Sequence, residues 1–523
     1  MYLRLTALTL TLPKTWCSIF SSNALSQVAL RVHFPLCREV QSPSRPVDYS
    51  IFNRISKRYT ALKSGIPRQE LRVPITASHR NTYIWTFSEN LLVLQSSHYP
   101  RAVLTLIYLD ARTEPRRIVN GELVLGASGG AVTRVKVCRN MLVVERTDGA
   151  VYSLVRLCSV DCFRVSLSPG DSRVIATKVS SFDTFEFGSA DYSHETISDH
   201  SGKYYAVYSK AKGDLRIWNL ETGEMARRIP DAEFSKITNV MNVLVIAKQG
   251  LGGPQQVVVA GNDGIKNSSP HAWRLWSNAA DFKVFPIEAG SSEWTGRTAV
   301  PEEQQGRFLP STCDAPFLVS SFKVPRRPAG ITSLDTPDAP GYLSEEIGLT
   351  FWYWDSDAGS ADYFYHNITP GHPPMSAPDV PLVVERRFRM AFKGCPYFSP
   401  FNVGPGSGLS LAINTTNRNG FIGPRLELHR LCARSFYPST TPGIMELEWE
   451  ASLKSSTDKE KDREIFFGVA DVLYFSTYPL VLVDENEFAT AFLEVVKGGM
   501  DLVLVLWDEG FHGELPLGGK VLN

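Results

Sequence analysis

The stretch "SGKYYAVYSKAKGDLRIWNLETGEMARRI", from Ser201 to Ile229, decides the fold. It holds two runs of β-prone residues, "KYYAVYS" and "DLRIWNL", separated by a short polar segment that contains Gly213. Short apolar runs bounded by glycine and polar turn residues are typical of antiparallel strands. Trp218 stands in the second run, where a sheet would bury it. The stretch therefore predicts an antiparallel unit whose strands are joined by tight turns.

Similar runs recur along the chain from about Leu71. They include "NLLVLQS", "AVLTLIYLD", "MLVVERT", "NVLVIAKQ" and "QQVVVAGND", and Gly, Asn, Asp or Ser separates them. Many short strands with little between them indicate an all-β sandwich, barrel or propeller. The segments "RTDGAVYSLVRL" and "LSPGDSRVIATKV" repeat the form of the first stretch less clearly and at uneven spacing. The repeats favour a propeller, but they leave the number of blades open.

The first stretch resembles one blade of a WD-repeat propeller. The matching positions are Asp199, Gly202, Lys203, Gly213, Asp214, Leu215, Ile217, Trp218, Leu220 and Gly223. The resemblance implies a mainly β chain that forms a WD-like β-propeller with degenerate blades. It also implies structural roles for the blade signature, which comprises Gly202, Gly213, Asp214, Trp218 and Gly223, with Trp218 as the packing anchor. The alternative is a β-sandwich joined to a helical domain.

Residues 12–63 are expected to be helical. Within "YSIFNRISKRYTALKSG" the residues Ile51, Ile55, Tyr59 and Leu62 fall on one helical face, and the residues Lys57, Arg58 and Lys63 lie off it. Gly65 is a typical residue to end such a helix. We therefore predict a small helical module over 1–70 and a propeller over 71–523. Loop insertions are expected near 292–345 and at the charged segment 455–464.

The first part of this module, "LPKTWCSIFSSNALSQVALRVHFPLCREV", resembles a degenerate F-box. The similarity lies in Leu-Pro at the start, an apolar pair, leucine-rich helical turns with Val28, and a late Cys37-Arg38. The usual acidic residue after Leu-Pro and the terminal tryptophan of the family are replaced. The resemblance implies contact with the linker subunit of a ligase through Leu12, Pro13, Ile19, Phe20, Leu25, Leu30 and Val32. Alternatively, these residues form the core of a small helical cap.

Together, the two resemblances are similar to the arrangement of fungal F-box proteins with a divergent propeller. What they imply is a non-enzymatic substrate-recognition adaptor of a cullin–RING (SCF-type) ubiquitin ligase. Its helices would bind the linker subunit of the cullin complex, and its propeller would bind a protein substrate of unknown identity. Two alternatives stay open: a stand-alone propeller scaffold for protein interactions, and a secreted or organellar β-propeller.

Composition excludes few classes of function. The 54 basic and 54 acidic residues balance, so no bulk charge favours nucleic acid or a membrane surface. The eight cysteines are scattered and the ten histidines show no metal-ligand spacing, so we expect no metal, cofactor or catalytic residue. No apolar run reaches the about 20 residues that span a bilayer. The expected location is cytoplasmic or nuclear, although "MYLRLTALTLTLP" leaves a signal or transit peptide open.

The most unusual local composition is the aromatic stretch "FWYWDSDAGSADYFYH" at 351–366. Aromatic residues on loops can form a recognition surface. The favoured interpretation is a β-hairpin whose alternate aromatic residues face a core, with "DSDAGSAD" as its turn.

Overall fold

The computed structural model describes residues 21–33, 49–75 and 85–522, with gaps between many of the strands. From 294 to 493 it describes only the backbone of the strands. Two helices, α1 (Asn23–His33) and α2 (Tyr49–Ser64), precede the first strand. Leu12, Pro13, Ile19, Phe20 and the segment 455–464 lie outside the described residues.

Strands make up almost all of the rest of the described chain. The first half holds β1 (Gln69–Ile75), β2 (Trp85–Ser88), β3 (Leu91–Ser97), β4 (Val103–Asp110), β5 (Arg116–Val124), β6 (Ala131–Cys138), β7 (Met141–Asp148), β8 (Val155–Leu167), β9 (Val174–Gly188), β10 (Thr196–His200), β11 (Tyr204–Ser209), β12 (Asp214–Asn219), β13 (Met225–Pro230), β14 (Asn239–Ala247) and β15 (Gln255–Asn262). The second half holds β16 (Ala279–Pro286), β17 (Trp294–Ala299), β18 (Phe317–Arg326), β19 (Ser344–Asp355), β20 (Ser360–Ile368), β21 (Arg386–Ala391), β22 (Asn402–Val403), β23 (Leu409–Asn414), β24 (Arg425–Ala433), β25 (Gly443–Ser452), β26 (Val481–Val483), β27 (Ala489–Val496), β28 (Gly499–Leu506), β29 (Phe511–His512) and β30 (Lys520–Leu522).

The described strands form six sheets, most of them built from consecutive antiparallel strands. Blade 1 is β2–β5 with β29 on its outer edge, blade 2 is β6–β9, blade 3 is β10–β13 and blade 4 is β14–β17. The eight-stranded sheet consists of β18–β21 and β22–β25, joined by a parallel pairing of β21 with β25. Counted as two halves, it brings the described units to seven.

The closing sheet joins the two ends of the chain. Its order is β26-β27-β28-β1-β30, so β1, which follows α2 in the chain, lies between two C-terminal strands. Leu71 pairs with Leu504 on one side and with Val521 on the other. A ring closed in this way has no long free strand edge at the junction of its ends.

The hydrophobic cores lie between neighbouring sheets. One core joins blades 1 and 2, a second joins blades 2 and 3, a third joins blades 3 and 4, and a fourth joins the closing sheet to blade 1. Such serial stacking of four-stranded sheets is the architecture of a β-propeller, in which each blade packs only on its neighbours. The expected fold is confirmed: the chain is mainly β and forms a propeller.

The stretch that decides the fold is blade 3. Strands β11 and β12 pair in register along it, a bulge at Ile217/Trp218 interrupts the pairing of β12 with β13, and every residue of β11 is buried. Gly213 and Gly223 have φ values of 59° and 73°. Positive φ values favour glycine, because glycine has no Cβ that would clash with the backbone. Asn219 Oδ1 accepts a hydrogen bond of 2.8 Å from the backbone N–H of Glu221, which fixes the turn before β13.

Several finer predictions can be compared with the structure. Strands β17 and β18 lie within 292–345, the stretch expected to be a loop insertion. The aromatic stretch at 351–366 is a hairpin, because β19 pairs with β20 and Trp354 stands opposite Ala361. Helix α2 ends at Ser64, and Gly65 follows with φ 68°, as the sequence predicted.

One prediction about α2 was wrong. Ile51, Ile55 and Leu62 are buried as expected, but Arg58, which was placed off the apolar face, is buried with them. Its guanidinium binds a buried carboxylate of the propeller, as described below. The apolar periodicity of a helix cannot reveal a buried cation whose partner lies at the other end of the chain.

Candidate functional site

A cleft of about 560 Å³ lies between the outer strands of blades 1 and 2. Its volume falls within the about 300–1,000 Å³ typical of ligand pockets. Strands β5, β8 and β9 supply most of its walls. The lining residues are Leu123, Val124, Leu125, Gly126, Arg146, Ser159, Asp161, Phe163, Ala176, Lys178, Ser181, Phe182 and Asp183.

Asp161 forms the polar centre of this cleft. Its Oδ1 lies 2.7 Å from Lys178 Nζ, and its Oδ2 lies 3.2 Å from the Arg146 guanidinium. Arg146 is buried, and it also donates a hydrogen bond of 2.6 Å to the carbonyl oxygen of Gly126. Two cations therefore hold one carboxylate, and Arg146 fixes the turn between β5 and β6.

One lining residue leaves an aliphatic side chain in solvent. Val124, the last residue of β5, is 55% exposed. Beside the charged centre, this side chain lets the cleft contact a segment that carries both apolar and charged groups.

Blade 3 supports one wall of the cleft. The ring of Phe182, on β9, stacks on Trp218 with a centroid separation of 5.2 Å and an interplanar angle of 10°. Ser180 Oγ, on the same strand, donates a hydrogen bond of 2.6 Å to the carbonyl oxygen of Leu220. A Cβ at Gly223 would lie 3.4 Å from the Ser181 carbonyl oxygen, so β9 packs closely on the turn that follows β12.

The residues of the blade signature predicted from the sequence lie in blade 3 or at its turns. Trp218 is buried against Phe182 and Tyr205. Asp214 is buried, and its Oδ2 accepts hydrogen bonds from Arg216 Nε at 3.2 Å and Arg228 Nε at 2.6 Å. Gly202, like the other two signature glycines, has a positive φ, of 84°. The signature builds the blade beside the cleft but lines no part of the cleft itself.

Sequence reasoning missed the cleft residues. Asp161 and Lys178 lie on two long strands, β8 and β9, where they read as ordinary polar positions of a sheet. Two β-bulges interrupt the pairing of these strands, at Cys158/Ser159 and Cys162/Phe163. Bulges change the side to which the following side chains point, and nothing in a single sequence marks where they occur.

The F-box-like residues can be placed only in part. Leu25 lies on α1 and is half-buried, while Leu30 and Val32 lie on the same helix with side chains that are not described. Ala29 and Ser26 of α1 are buried, and Val28 is 58% exposed. Helix α1 packs against α2, and Asn23 Oδ1 accepts a hydrogen bond of 3.2 Å from the N–H of Tyr49.

A buried ion cluster fastens α2 to the propeller. Arg58 donates from Nε to Asp508 Oδ1 at 2.9 Å and from a terminal nitrogen to Oδ2 at 2.7 Å. Arg116, on β5, also donates to Asp508 Oδ2, at 3.1 Å. Bidentate arginine–carboxylate pairs set direction as well as distance, so α2 has one fixed orientation on the closing sheet and blade 1.

The described residues offer little nucleophilic or metal chemistry. They contain no group of three or more His, Cys, Asp or Glu side chains that could hold a metal ion. Burial raises the pKa of the Cys162 thiol to about 12, so this thiol carries almost no nucleophilic thiolate at neutral pH. None of the helices in the described residues combines the length and the apolar character needed to cross a bilayer.

Comparison with known proteins adds structural similarity alone. No family model and no curated protein match the chain. Similar solved structures include Sqt1 of Chaetomium thermophilum bound to the N-terminus of the ribosomal protein L10. Sqt1 is 12% identical to this chain, the match covers 83% of this chain and 86% of that chain, and the TM-score is 0.32. The WD40 domain of Toxoplasma gondii coronin is 8% identical and covers 58% of this chain and 73% of that chain, with a TM-score of 0.23. An oligogalacturonate lyase in complex with manganese is 10% identical, and the match covers 80% of this chain and 96% of that chain with a TM-score of 0.32. At such TM-scores the similarity decides neither the fold nor the function, and the propeller rests on the sheet order and the stacked cores.

Proposed function

We propose that the protein is a protein-interaction scaffold whose propeller binds a segment of a partner protein in the cleft between blades 1 and 2. The observation that carries this proposal is the combination of one exposed aliphatic side chain, Val124, with a buried charged centre formed by Asp161 and Arg146. A partner's aliphatic side chain would pack on Val124, and a partner's carboxylate would bind Lys178, whose side chain is 52% exposed.

Rigid walls favour such a role. Arg146 ties the turn at Gly126 to β7, and Trp218 with Leu220 holds β9 from the other side. A site whose walls are already ordered loses less conformational entropy when a segment binds. The cleft therefore suits recognition of a short extended segment by a surface that is formed before binding.

The test uses the full chain and a displayed library of random peptides. Peptides enriched on the wild-type chain are titrated against two cleft variants, Val124→Glu and Lys178→Glu. Met225→Glu on blade 3 and Lys520→Glu on the closing sheet, both at exposed positions outside the cleft, serve as matched controls. We expect the cleft variants to weaken binding at least tenfold and the controls to leave it unchanged. Equal affinity for all four variants would contradict the proposal, as would the absence of any enriched peptide.

The finer proposal is that the scaffold acts as the substrate adaptor of a cullin–RING ubiquitin ligase. Two observations favour it beside the F-box resemblance. Val28 leaves an apolar side chain of α1 in solvent, and the Arg58–Asp508 pair fixes the helices that carry it. A linker subunit bound to α1 would thus be held in a constant orientation relative to the cleft.

Binding of a purified ligase linker subunit to the full chain tests the adaptor role. We expect Leu12→Asp, Leu25→Asp and Val28→Asp to abolish the complex, because each places a charge in an apolar contact. Lys63→Asp, on an exposed position of α2, is the control. If the wild-type chain fails to bind, or if Leu12→Asp and Leu25→Asp bind unchanged, the adaptor role is wrong.

A further inference from the structure

A β-bulge decides which side chains of β9 face the cleft between blades 1 and 2. In the pairing of β8 with β9, Phe163 stands opposite Lys178 and Cys162 stands opposite Ser180, so the register passes over Val179. Side chains alternate between the two faces of a strand, and one extra residue shifts that alternation by one position. The residues of β9 that follow the bulge are therefore presented to the other face from the one that an unbroken strand would give them.

The shift brings two opposite charges of β9 to one side of the sheet. Lys178 and Asp183 are five positions apart, a spacing that places two residues of an unbroken strand on opposite faces. With the bulge between them, both lie on the face that lines the cleft. The paired residues on this face are Phe163 with Lys178, Asp161 with Ser181 and Ser159 with Asp183.

Of the four charged residues that line the cleft, two are left for a ligand. Asp161 and Arg146 are buried and bind each other, and Arg146 also donates to the carbonyl oxygen of Gly126. Lys178 contacts Asp161 but keeps half of its side chain in solvent. Asp183 is exposed, and it forms no ion pair with the residues that the structure describes. A bound segment therefore meets one positive group and one negative group.

The register also gives the separation of these two groups. Along β8, their partners Phe163 and Ser159 are four residues apart in a stretch without a bulge. At about 3.3 Å per residue, the Cα atoms of Lys178 and Asp183 are about 13 Å apart. In an extended peptide, residues i and i+4 lie on one face at the same separation. The two charges of the cleft thus match two side chains of one extended segment.

We propose that the cleft selects an extended segment in which an acidic and a basic residue are four positions apart. The acidic side chain would bind Lys178, the basic side chain would bind Asp183, and the residue midway between them would face Ser181. The residues at i+1 and i+3 would point towards the opposite wall, where Val124 offers an aliphatic contact. The inference rests on the proposed function, because it specifies the partner of the same cleft.

The first experiment measures binding of four synthetic peptides to the full chain by isothermal titration. The matching peptide is Ser-Thr-Glu-Val-Thr-Val-Lys-Thr-Ser, and two others replace its charged pair by two Glu or by two Lys. The fourth, Ser-Thr-Glu-Val-Val-Lys-Thr-Thr-Ser, has the same composition but places the charges three apart, on opposite faces. We expect the matching peptide to bind at least tenfold more tightly than each of the others, because like charges placed together cost affinity.

The second experiment reverses one charge of the cleft. Asp183→Lys changes an exposed side chain, so the fold should be kept, and an unchanged Tm checks this. The variant presents two cations, and we expect it to bind the peptide with two Glu at least tenfold more tightly than the matching peptide. Glu514→Lys makes the same charge change at an exposed position between β29 and β30, and it should keep the preference of the wild type.

Three results would overturn the inference: no binding of the matching peptide, equal affinity for the four peptides, or an unchanged preference in Asp183→Lys. Peptides selected from a random library separate this inference from the proposed function. If they lose affinity in Val124→Glu but carry no pair of opposite charges four positions apart, the cleft is a peptide site and the charge rule alone is wrong.

Discussion

The rings of Trp218 and Phe182 stack at 5.2 Å with an angle of 10° between their planes, and they join blade 3 to blade 2. Trp218 belongs to the stretch that resembles a WD-repeat blade, whereas Phe182 lines the cleft. A tryptophan that the sequence predicts to be a packing residue thus supports one wall of the cleft, and no sequence pattern predicts the cleft itself. Changes to Trp218 should therefore affect both the stability and the shape of the cleft.

Trp218→Ala should lower the free energy of unfolding by about 3–5 kcal/mol, because it removes a large side chain from a core shared by two blades. A double-mutant cycle with Phe182→Ala should give a coupling energy of about 0.5–1.5 kcal/mol for the stacked pair. Urea denaturation followed by circular dichroism measures each value. Met225→Ala, at an exposed position of the same blade, should change stability by less than about 0.5 kcal/mol. A coupling energy near zero would show that the two rings contribute independently.

Asp508→Ala should be among the most destabilising single changes at the helix junction. It leaves Arg58 and Arg116 as buried cations without their shared carboxylate, a change that costs about 3–5 kcal/mol. Replacing Arg58 and Asp508 together by Met and Leu should recover part of that loss, because the buried charge of the pair is then removed. Urea denaturation and limited proteolysis of α2 measure the effect.

The neighbouring pair of Lys57 and Glu509 provides the control for this prediction. Its atoms also lie 3.0 Å apart, but both side chains are at least half exposed. Lys57→Ala should therefore change stability by no more than about 1 kcal/mol. Equal losses of stability in Lys57→Ala and Asp508→Ala would contradict the prediction that the buried Arg58–Asp508 pair attaches α2 to the propeller.

The features that could be predicted from the sequence depend on residues that are close together in the chain. The period of the strands, the glycines with positive φ, the end of α2 at Gly65 and the burial of Trp218 all depend on residues close together in the chain. Arg58 and Asp508 are 450 positions apart, and the cleft combines three strands whose register depends on bulges. These features arise from ring closure and blade stacking, which no short window of the sequence records.

Stability should fall in acid through Glu145, which lies between blades 2 and 3. Burial alone would raise the pKa of Glu145, but the cations Arg134 and Lys136 and the hydroxyls of Ser198 and Tyr205 together hold this pKa below its usual value. Ser198 Oγ donates to Glu145 Oε1 at 2.7 Å. A carboxyl whose pKa is lower in the folded state stabilises the fold above its unfolded pKa of about 4.3. That contribution is lost as the pH falls through the lower, folded pKa.

The measurement is the free energy of unfolding of the wild type and of Glu145→Gln between pH of about 6 and about 3. The wild type should lose stability more steeply than the variant below a pH of about 4.3. Arg134→Gln should also flatten the profile, because it removes one of the two cations that favour the charged carboxylate. Parallel profiles for wild type and Glu145→Gln would contradict the role given to this carboxylate.

Gly121 sets the distance between blades 1 and 2. A Cβ at this position of β5 would lie 2.0 Å from the carbonyl oxygen of Val174 on β9, and backbone cannot yield as a flexible side chain can. Gly121→Ala should therefore force the two strands apart at the cleft and lower the free energy of unfolding by about 1–3 kcal/mol. It should also weaken the binding of the peptides selected on the wild-type chain, because the wall of the cleft that β9 forms would move. Glu122→Ala, at an exposed position of the same strand, introduces an alanine without the contact with Val174. It should change neither the free energy of unfolding nor the peptide affinity measurably. If Gly121→Ala kept both the stability and the peptide affinity of the wild type, the close approach of β5 and β9 would not define the cleft.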